Sequence, residues 1–342
     1  MKTHAIIPIF IPHKGCPNDC VFCNQKKITA RTKAPTTEDV KHTIETYLPT
    51  LQGRGLKTIE VAFFGGSFTG IPIEEQRAYL AVAKGYKDRG LIQKIHLSTR
   101  PDYINEEILH NLKKYGTDII ELGVQSFHDE VLRLSNRGHD SAVVYKSTEL
   151  IKSWGFQLGI QLMIGLPGDT RDRSIYSAKE AVKLKPQLAR LYPTVIIEDT
   201  ELLNMYHDGR YQPFTQEEMI HITADMYRIL QAAGITILRV GLKSTDIINE
   251  NGATIGNTYH PAFRQLVEGH IARQDLELQL QNLQKRHPEA TRITFSSCGT
   301  SFSNMVGNSG ANKRYFKEKY PNLNIKFAAD DSLPPMSYKV EI

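Results

Sequence analysis

Cys16, Cys20 and Cys23 fall within eight residues in the pattern C-x3-C-x2-C, and a fourth cysteine, Cys298, stands far away. A disulfide framework spreads an even set of cysteines through a short secreted chain, so this distribution points to metal instead. Three thiolates so close together can hold three irons of a [4Fe–4S] cluster and leave the fourth iron without a protein ligand. An open iron is a place where a cofactor can bind. With His13, the same thiols also offer the ligands of a Cys3His zinc site. Cys298 reads as a small, inert residue in or beside a strand.

Other small or polar groups recur behind the cysteines: Gly65-Gly66-Ser67-Phe68, Thr99-Arg100-Pro101, Gln125-Ser126 and Gly165-Leu166-Pro167-Gly168. Each follows a short apolar run. The runs 5–11, 58–64, 94–98, 119–124, 157–164 and 189–196 are rich in Ile, Val, Leu and Phe and predict strands. Between them lie amphipathic stretches that predict helices; in the one opened by Thr37-Glu38-Asp39, Val40, Ile44, Tyr47 and Leu48 share a face. Strand–helix units of about 30–40 residues read as repeated βαβ around a parallel sheet. Six of them predict an α/β fold built as a partial (β/α)6 barrel over residues 1–241. The polar turns then all sit at the C-terminal ends of strands, the rim where parallel α/β folds bind ligands.

The chain has 342 residues with ordinary globular composition, 40% hydrophobic and 23% charged, which excludes disordered and fibrous classes. Lys plus Arg outnumber Asp plus Glu by 42 to 37, a mildly basic balance that permits anionic partners without requiring them. No apolar run approaches the roughly 20 residues needed to span a membrane. Neither a signal peptide nor a lipid anchor is read at the N-terminus, so the expectation is a cytoplasmic protein with no membrane partner.

C-x3-C-x2-C with an aromatic before the last cysteine resembles the signature of the radical S-adenosylmethionine (radical SAM) superfamily, and Gly65-Gly66-Ser67-Phe68 resembles its glycine motif. The resemblance implies that Cys16, Cys20 and Cys23 hold a [4Fe–4S] cluster whose open iron chelates the methionine moiety of SAM. It implies reductive cleavage to a 5′-deoxyadenosyl radical, with an electron donor such as flavodoxin or ferredoxin. The carbonyls of Gly65 and Gly66 would meet the methionine ammonium, since glycine lets backbone approach closely, with Ser67 and Phe68 completing the motif. Phe22 offers a face for adenine. Gly165 and Leu166 belong to a turn resembling the fifth-strand motif that covers adenine. Arg100, Gln125 and Ser126 stand where ribose or carboxylate would be contacted. Arg100 before Pro101 also reads as an ordinary surface arginine.

Longer runs narrow the branch. Leu97-Ser98-Thr99-Arg100-Pro101-Asp102-Tyr103, Glu121-Leu122-Gly123-Val124-Gln125-Ser126, Leu134-Ser135-Asn136-Arg137-Gly138-His139 and Leu191-Tyr192-Pro193-Thr194-Val195-Ile196 are similar to stretches of the catalytic subunit of Elongator, over roughly residues 5–240. That subunit modifies the wobble uridine of transfer RNA. It carries an acetyltransferase domain that nothing in this chain resembles, and its first cysteine gap is longer. The short gap, Lys27-Ile28-Thr29 and Leu166-Pro167-Gly168 look more like oxygen-independent coproporphyrinogen III dehydrogenase. The expected substrate is therefore RNA, specifically transfer RNA, with a small molecule such as a porphyrinogen as the alternative. A non-catalytic, metal-stabilised RNA-binding protein is the third reading.

After residue 200 the rhythm changes, and residues 242–342 read as a smaller α/β module. A strand ending at Ser297 leads through a Gly/Ser/Asn loop into a helix from Ala311 to Tyr320 that carries Lys313, Arg314, Lys317 and Lys319. A small-residue loop before a helix N-terminus exposes backbone N–H groups, and the cations add charge that phosphates would feel, so this module is the expected RNA contact. A solvated helix face explains the same charges. Tyr315, Phe316 and Tyr320 read as core ahead of base-stacking residues.

Overall fold

The computed structural model describes residues 3–12, 14–16, 20–24, 27–28, 33–245, 248–249, 252–256 and 258–342. It divides into two compact units: residues 1–214 with 226–259, and residues 215–225 with 260–342. Residues 242–259 thus group with the larger unit.

Among the described residues, the larger unit is built on a seven-stranded sheet in the order β1-β2-β3-β4-β5-β6-β8. The strands are β1 (His4–Ile11), β2 (Thr58–Gly65), β3 (Lys94–Thr99), β4 (Ile119–Gln125), β5 (Gln157–Ile164), β6 (Leu188–Pro193) and β8 (Thr236–Val240). Every neighbouring pair is parallel. This is the partial barrel the alternation predicts, with β8 added beside β6 as a seventh strand. The apolar run 189–196 is broken by Pro193 into β6 and a two-residue strand, β7 (Ile196–Ile197), which pairs antiparallel with β9 (Thr254–Ile255). Pro8 is tolerated in β1 because that strand lies at the sheet edge, where a missing N–H breaks no outer ladder.

The helices follow each strand and are capped as their sequences direct. Thr36 and Asp39 form a reciprocal capping box at helix Thr37–Leu51, and Asn105, Asp140 and Thr170 cap helices Glu106–Lys114, Ser141–Ser153 and Arg171–Lys183. Their apolar faces bury residues such as Val40, Ile44, Leu80, Leu109 and Leu112 against the sheet's outer side. The other side of the sheet carries polar residues inside the barrel. This asymmetry makes a site.

The smaller unit has a three-stranded sheet ordered β11-β10-β12, from β10 (Arg292–Ser297), β11 (Asn324–Ala329) and β12 (Tyr338–Glu341). Its core joins Leu276, Leu280 and Leu283 of helix Phe263–Arg286 to Phe295, Met305 and Phe316. Phe316 is fully buried, whereas Tyr315 and Tyr320 are half-buried with their hydroxyls donating to Glu277.

Candidate active site

The cysteine segment is held to the sheet by glycine contacts. Gly66 N–H donates to Ile11 C=O at 2.8 Å and Ser67 N–H to Lys14 C=O at 3.0 Å. A Cβ on Gly66 would stand 2.1 Å from the Lys14 carbonyl oxygen, and one on Gly15 would stand 2.0 Å from that of Ser67. The glycines at 15, 66 and 70 therefore let the cysteine segment lie backbone to backbone on the β2 turn. Farther on, Val21 N–H donates to Ser135 C=O and Val21 C=O accepts from Leu202 N–H at 2.7 Å. Val21 is buried with Ile196, Leu202, Met205 and Tyr211, and Phe22 packs against that cluster.

A cavity of about 930 Å³ occupies the barrel interior. Its wall brings together Cys16, Cys20, Cys23, Phe22, Gly65, Gly66, Ser67, Arg100 and Gln125, nine of the residues the sequence singled out. Four others stand elsewhere. Phe68 is buried against Phe63 at 5.0 Å between ring centroids and fills the core beneath the turn. Ser126 faces Ser177 and accepts from His128 N–H, which fixes the start of the next helix. Gly165 is clasped between Asp169, whose carboxylate accepts its N–H at 2.8 Å, and Tyr211, whose hydroxyl donates to its carbonyl at 2.6 Å. Leu166 is buried. His13 lies outside the described residues, so the zinc alternative has no geometry here.

Ser67 does structural work as well as lining the wall. Its hydroxyl meets that of Thr99 at 2.8 Å and accepts from Arg100 N–H, tying the ends of β2 and β3 together. Arg100 is buried and forks onto Asp102. Burial alone would lower its pKa, but the Asp102 carboxylate outweighs this and raises it. Gln125 sits at φ 70°, a left-handed conformation rarely adopted by a non-glycine residue, beside a register shift in the β4–β5 ladder. Such strain clusters at functional sites.

Residues not singled out as candidates complete the wall. Arg137 is buried, and its Nη1 donates to Cys20 Sγ at 3.1 Å. Burial and the Arg137 guanidinium push neighbouring His139 down to about 4, so it is neutral near pH 7. Deeper in the barrel, Glu60, His96, Glu121 and Arg190 form a buried chain. His96 Nδ1 lies 3.1 Å from Glu60, its Nε2 lies 3.5 Å from Glu121, and Arg190 Nε donates to Glu121 at 2.8 Å. Gln161 also donates to Glu121. Burial raises both carboxyls, but for Glu60 the hydrogen bonds of His4 and His96, and for Glu121 Arg190 and His96, hold them at about 2. His96 is raised, because the two carboxylates outweigh its burial.

The cysteines, the glycine turn and the barrel form one constellation on one chain. The chain belongs to the radical SAM superfamily. Its residues 10–178 match the model of that superfamily and residues 186–273 match that of the radical SAM C-terminal domain. It is 29% identical over 257 residues to a tRNA uridine(34) acetyltransferase of Methanocaldococcus jannaschii, covering 64% of this chain and 47% of that protein. It is 27% identical over 256 residues to Elongator complex protein 3 of Bos taurus, covering 69% of this chain and 46% of that one. The chain thus spans about half the length of these curated relatives. Among solved structures, the archaeal Methanocaldococcus infernus Elp3 with an N-terminal deletion superposes with a TM-score of 0.65 at 22% identity, over 81% of this chain and 64% of that one. That likeness is one of fold.

Family membership implies a [4Fe–4S] cluster and SAM, and the residues fit both. The three thiols are free of disulfides and share one cavity. Four buried polar atoms on its lining residues, Arg100 Nη1, Gln125 Oε1, Arg137 Nε and Arg190 Nη2, have no partner among the described residues. A buried polar group without a partner costs about 1–3 kcal/mol, so such groups fit a wall that takes a polar ligand.

Proposed function

We propose that this protein is a radical SAM enzyme acting on transfer RNA. The single observation that carries the reading is the cavity in which Cys16, Cys20 and Cys23 meet the β2 glycine turn, in a chain similar to tRNA uridine(34) acetyltransferases.

Cys16, Cys20 and Cys23 would hold a [4Fe–4S] cluster with SAM at its open iron, and that pair, given an external one-electron donor, would supply the radical chemistry for hydrogen abstraction. The chain's own residues bind, orient and shield. Gly65 and Gly66 bring backbone without side chains to the cavity wall. Arg100 and Gln125 offer the methionine carboxylate and ribose a donor and an acceptor. The barrel walls, with Phe10, Phe64, Met163 and Leu238, keep water from a reactive centre. The cations Lys313, Arg314 and Lys317 of the smaller unit are assigned to the RNA backbone.

The test is anaerobic incubation of the reconstituted protein with SAM, dithionite and transfer RNA from a strain lacking the gene, followed by mass spectrometry of the nucleosides. A new or altered uridine is expected. SAM cleavage with no altered nucleoside would remove RNA as substrate and leave the small-molecule reading.

A further inference from the structure

Arg190 of β6 and Arg239 of β8 are direct partners in the parallel ladder, and both line the cavity. Like charges opposite each other on one sheet face are destabilising. The ladder is also irregular here, shifting register between Ala189 and Arg190, and such irregularities re-aim side chains next to sites. The nearby carboxylate, Glu121, is already taken by Arg190, His96 and Gln161. Among the described residues Arg239 has no acidic partner, and neither does Lys243, which lines the same cavity. β6 and β8 stand at the opposite edge of the sheet from β1, which leads into the cysteines. The fold thus keeps uncompensated positive charge on the cavity wall formed by β6, β8 and the residues that follow β8.

We propose that this wall is an anion subsite, in which Arg239 and Lys243, backed by Arg190, hold a phosphate or carboxylate oxyanion of the substrate. The inference rests on the cavity being the active site and deepens that reading. On the RNA reading the oxyanion is a phosphate next to the target nucleotide; on the small-molecule reading it is a carboxylate or phosphate of that molecule.

The test uses the anaerobic holoenzyme with inorganic phosphate as probe, against chloride at equal ionic strength. A ligand that binds only the folded state raises the thermal midpoint by mass action. Phosphate is expected to raise it in the wild type. In Arg239→Gln the midpoint without phosphate should rise, because a like-charge neighbour is gone, while phosphate binds about tenfold more weakly, roughly 1.4 kcal/mol. Arg239→Lys keeps the charge and should keep most of the increment. No phosphate effect in the wild type, or an equal one in Arg239→Gln, overturns the proposal. Saturating SAM should leave the increment in place; its loss would put the methionine carboxylate on this wall and overturn a substrate subsite. A transfer RNA arm separates the sources. If phosphate at constant ionic strength weakens RNA binding to the wild type but not to Arg239→Gln, an RNA phosphate occupies the subsite. If RNA binding is indifferent while the increment persists, the subsite stands with a small anion as its ligand and the RNA reading falls.

Discussion

Arg137 holds the sulfur of Cys20: its Nη1 donates to Sγ at 3.1 Å while its Nη2 donates to Gly123 C=O at 2.6 Å. The guanidinium therefore couples Cys20, one of the three cysteines proposed to hold the cluster, to the irregular end of β4, next to the strained Gln125. N–H···S bonds stabilise the more negative, reduced state of an iron–sulfur centre and raise its potential. Arg137→Met keeps much of the volume and removes every donor. The variant should bind its cluster with a midpoint lower by roughly tens of millivolts. A redox titration followed by electron paramagnetic resonance reads this directly, and an unchanged midpoint would reduce Arg137 to a brace.

Cys298 belongs to the smaller unit, where its sulfur meets the hydroxyls of Thr300 and Ser301. Cys298→Ala should keep about four irons per chain after anaerobic reconstitution, while replacement of Cys16, Cys20 or Cys23 should not. Iron and acid-labile sulfide assays decide it, and loss of iron in Cys298→Ala would refute the three-cysteine assignment.

Gly66 has a structural role beside its proposed contact with SAM. Because its Cβ would stand 2.1 Å from the Lys14 carbonyl oxygen, Gly66→Val must push the cysteine segment off the β2 turn. Overpacking of this kind costs about 1–3 kcal/mol. The expected outcome is joint loss of the cluster's visible absorption and of 5′-deoxyadenosine formation. An intact cluster with impaired SAM cleavage would instead place the glycine's importance in ligand contact alone.

The buried chain through His96 fixes a pH window. Glu60 and Glu121, held at about 2, contribute stability above the ordinary carboxylate value near 4.3, and it is lost as pH falls toward 2. His96 is raised, so its contribution is complete below about 6.5 and is lost as pH rises through its higher folded value. Urea unfolding across pH should show a plateau between about 4.5 and 6.5. His96→Gln leaves two buried carboxylates short of a cation, should cost about 3–5 kcal/mol, and should flatten the alkaline limb. An alkaline limb unchanged in that variant would exclude His96 as its source.

The strands were legible because apolar runs bounded by turn residues mark them; 157–164 matches β5 end for end, and the strand read as ending at Ser297 is β10. The rim was legible too, since polar turns after strands in a parallel fold must converge. What sequence missed is the barrel interior. Glu60, His96, Glu121 and Arg190 are single charged residues inside apolar strands, and only their alternation onto one face distinguishes them from noise. Motif position misled at Phe68, where the same aromatic that marks the turn fills the core beneath it. The loop between β10 and helix Ala311–Lys319 misled differently. It suggested free backbone donors, but Gly299 N–H is taken by Asp331 and Ser301, Gly307 and Gly310 donate within the loop.

The RNA assignment of the smaller unit therefore rests on charge, and its four cations are not equivalent. Lys319 is committed to Glu277, 2.5 Å from its carboxylate, and lies over the Tyr315 ring. Arg314 reaches back to the Ser309 carbonyl at 2.6 Å and has no carboxylate partner among the described residues. Lys313 lies over the Phe327 ring at 5.3 Å, and Lys317 is exposed. Phosphate contacts release counterions, so each one lost lowers the steepness of the salt dependence by about one unit. Lys313→Glu with Arg314→Glu should weaken transfer RNA binding and flatten its slope against log salt by roughly two. Lys319→Gln should change the slope little, since Glu277 already neutralises that charge. Filter binding from low to moderate salt separates the two cases. Equal slopes in the wild type and the double variant would make this helix a solvated face and move RNA recognition to the barrel.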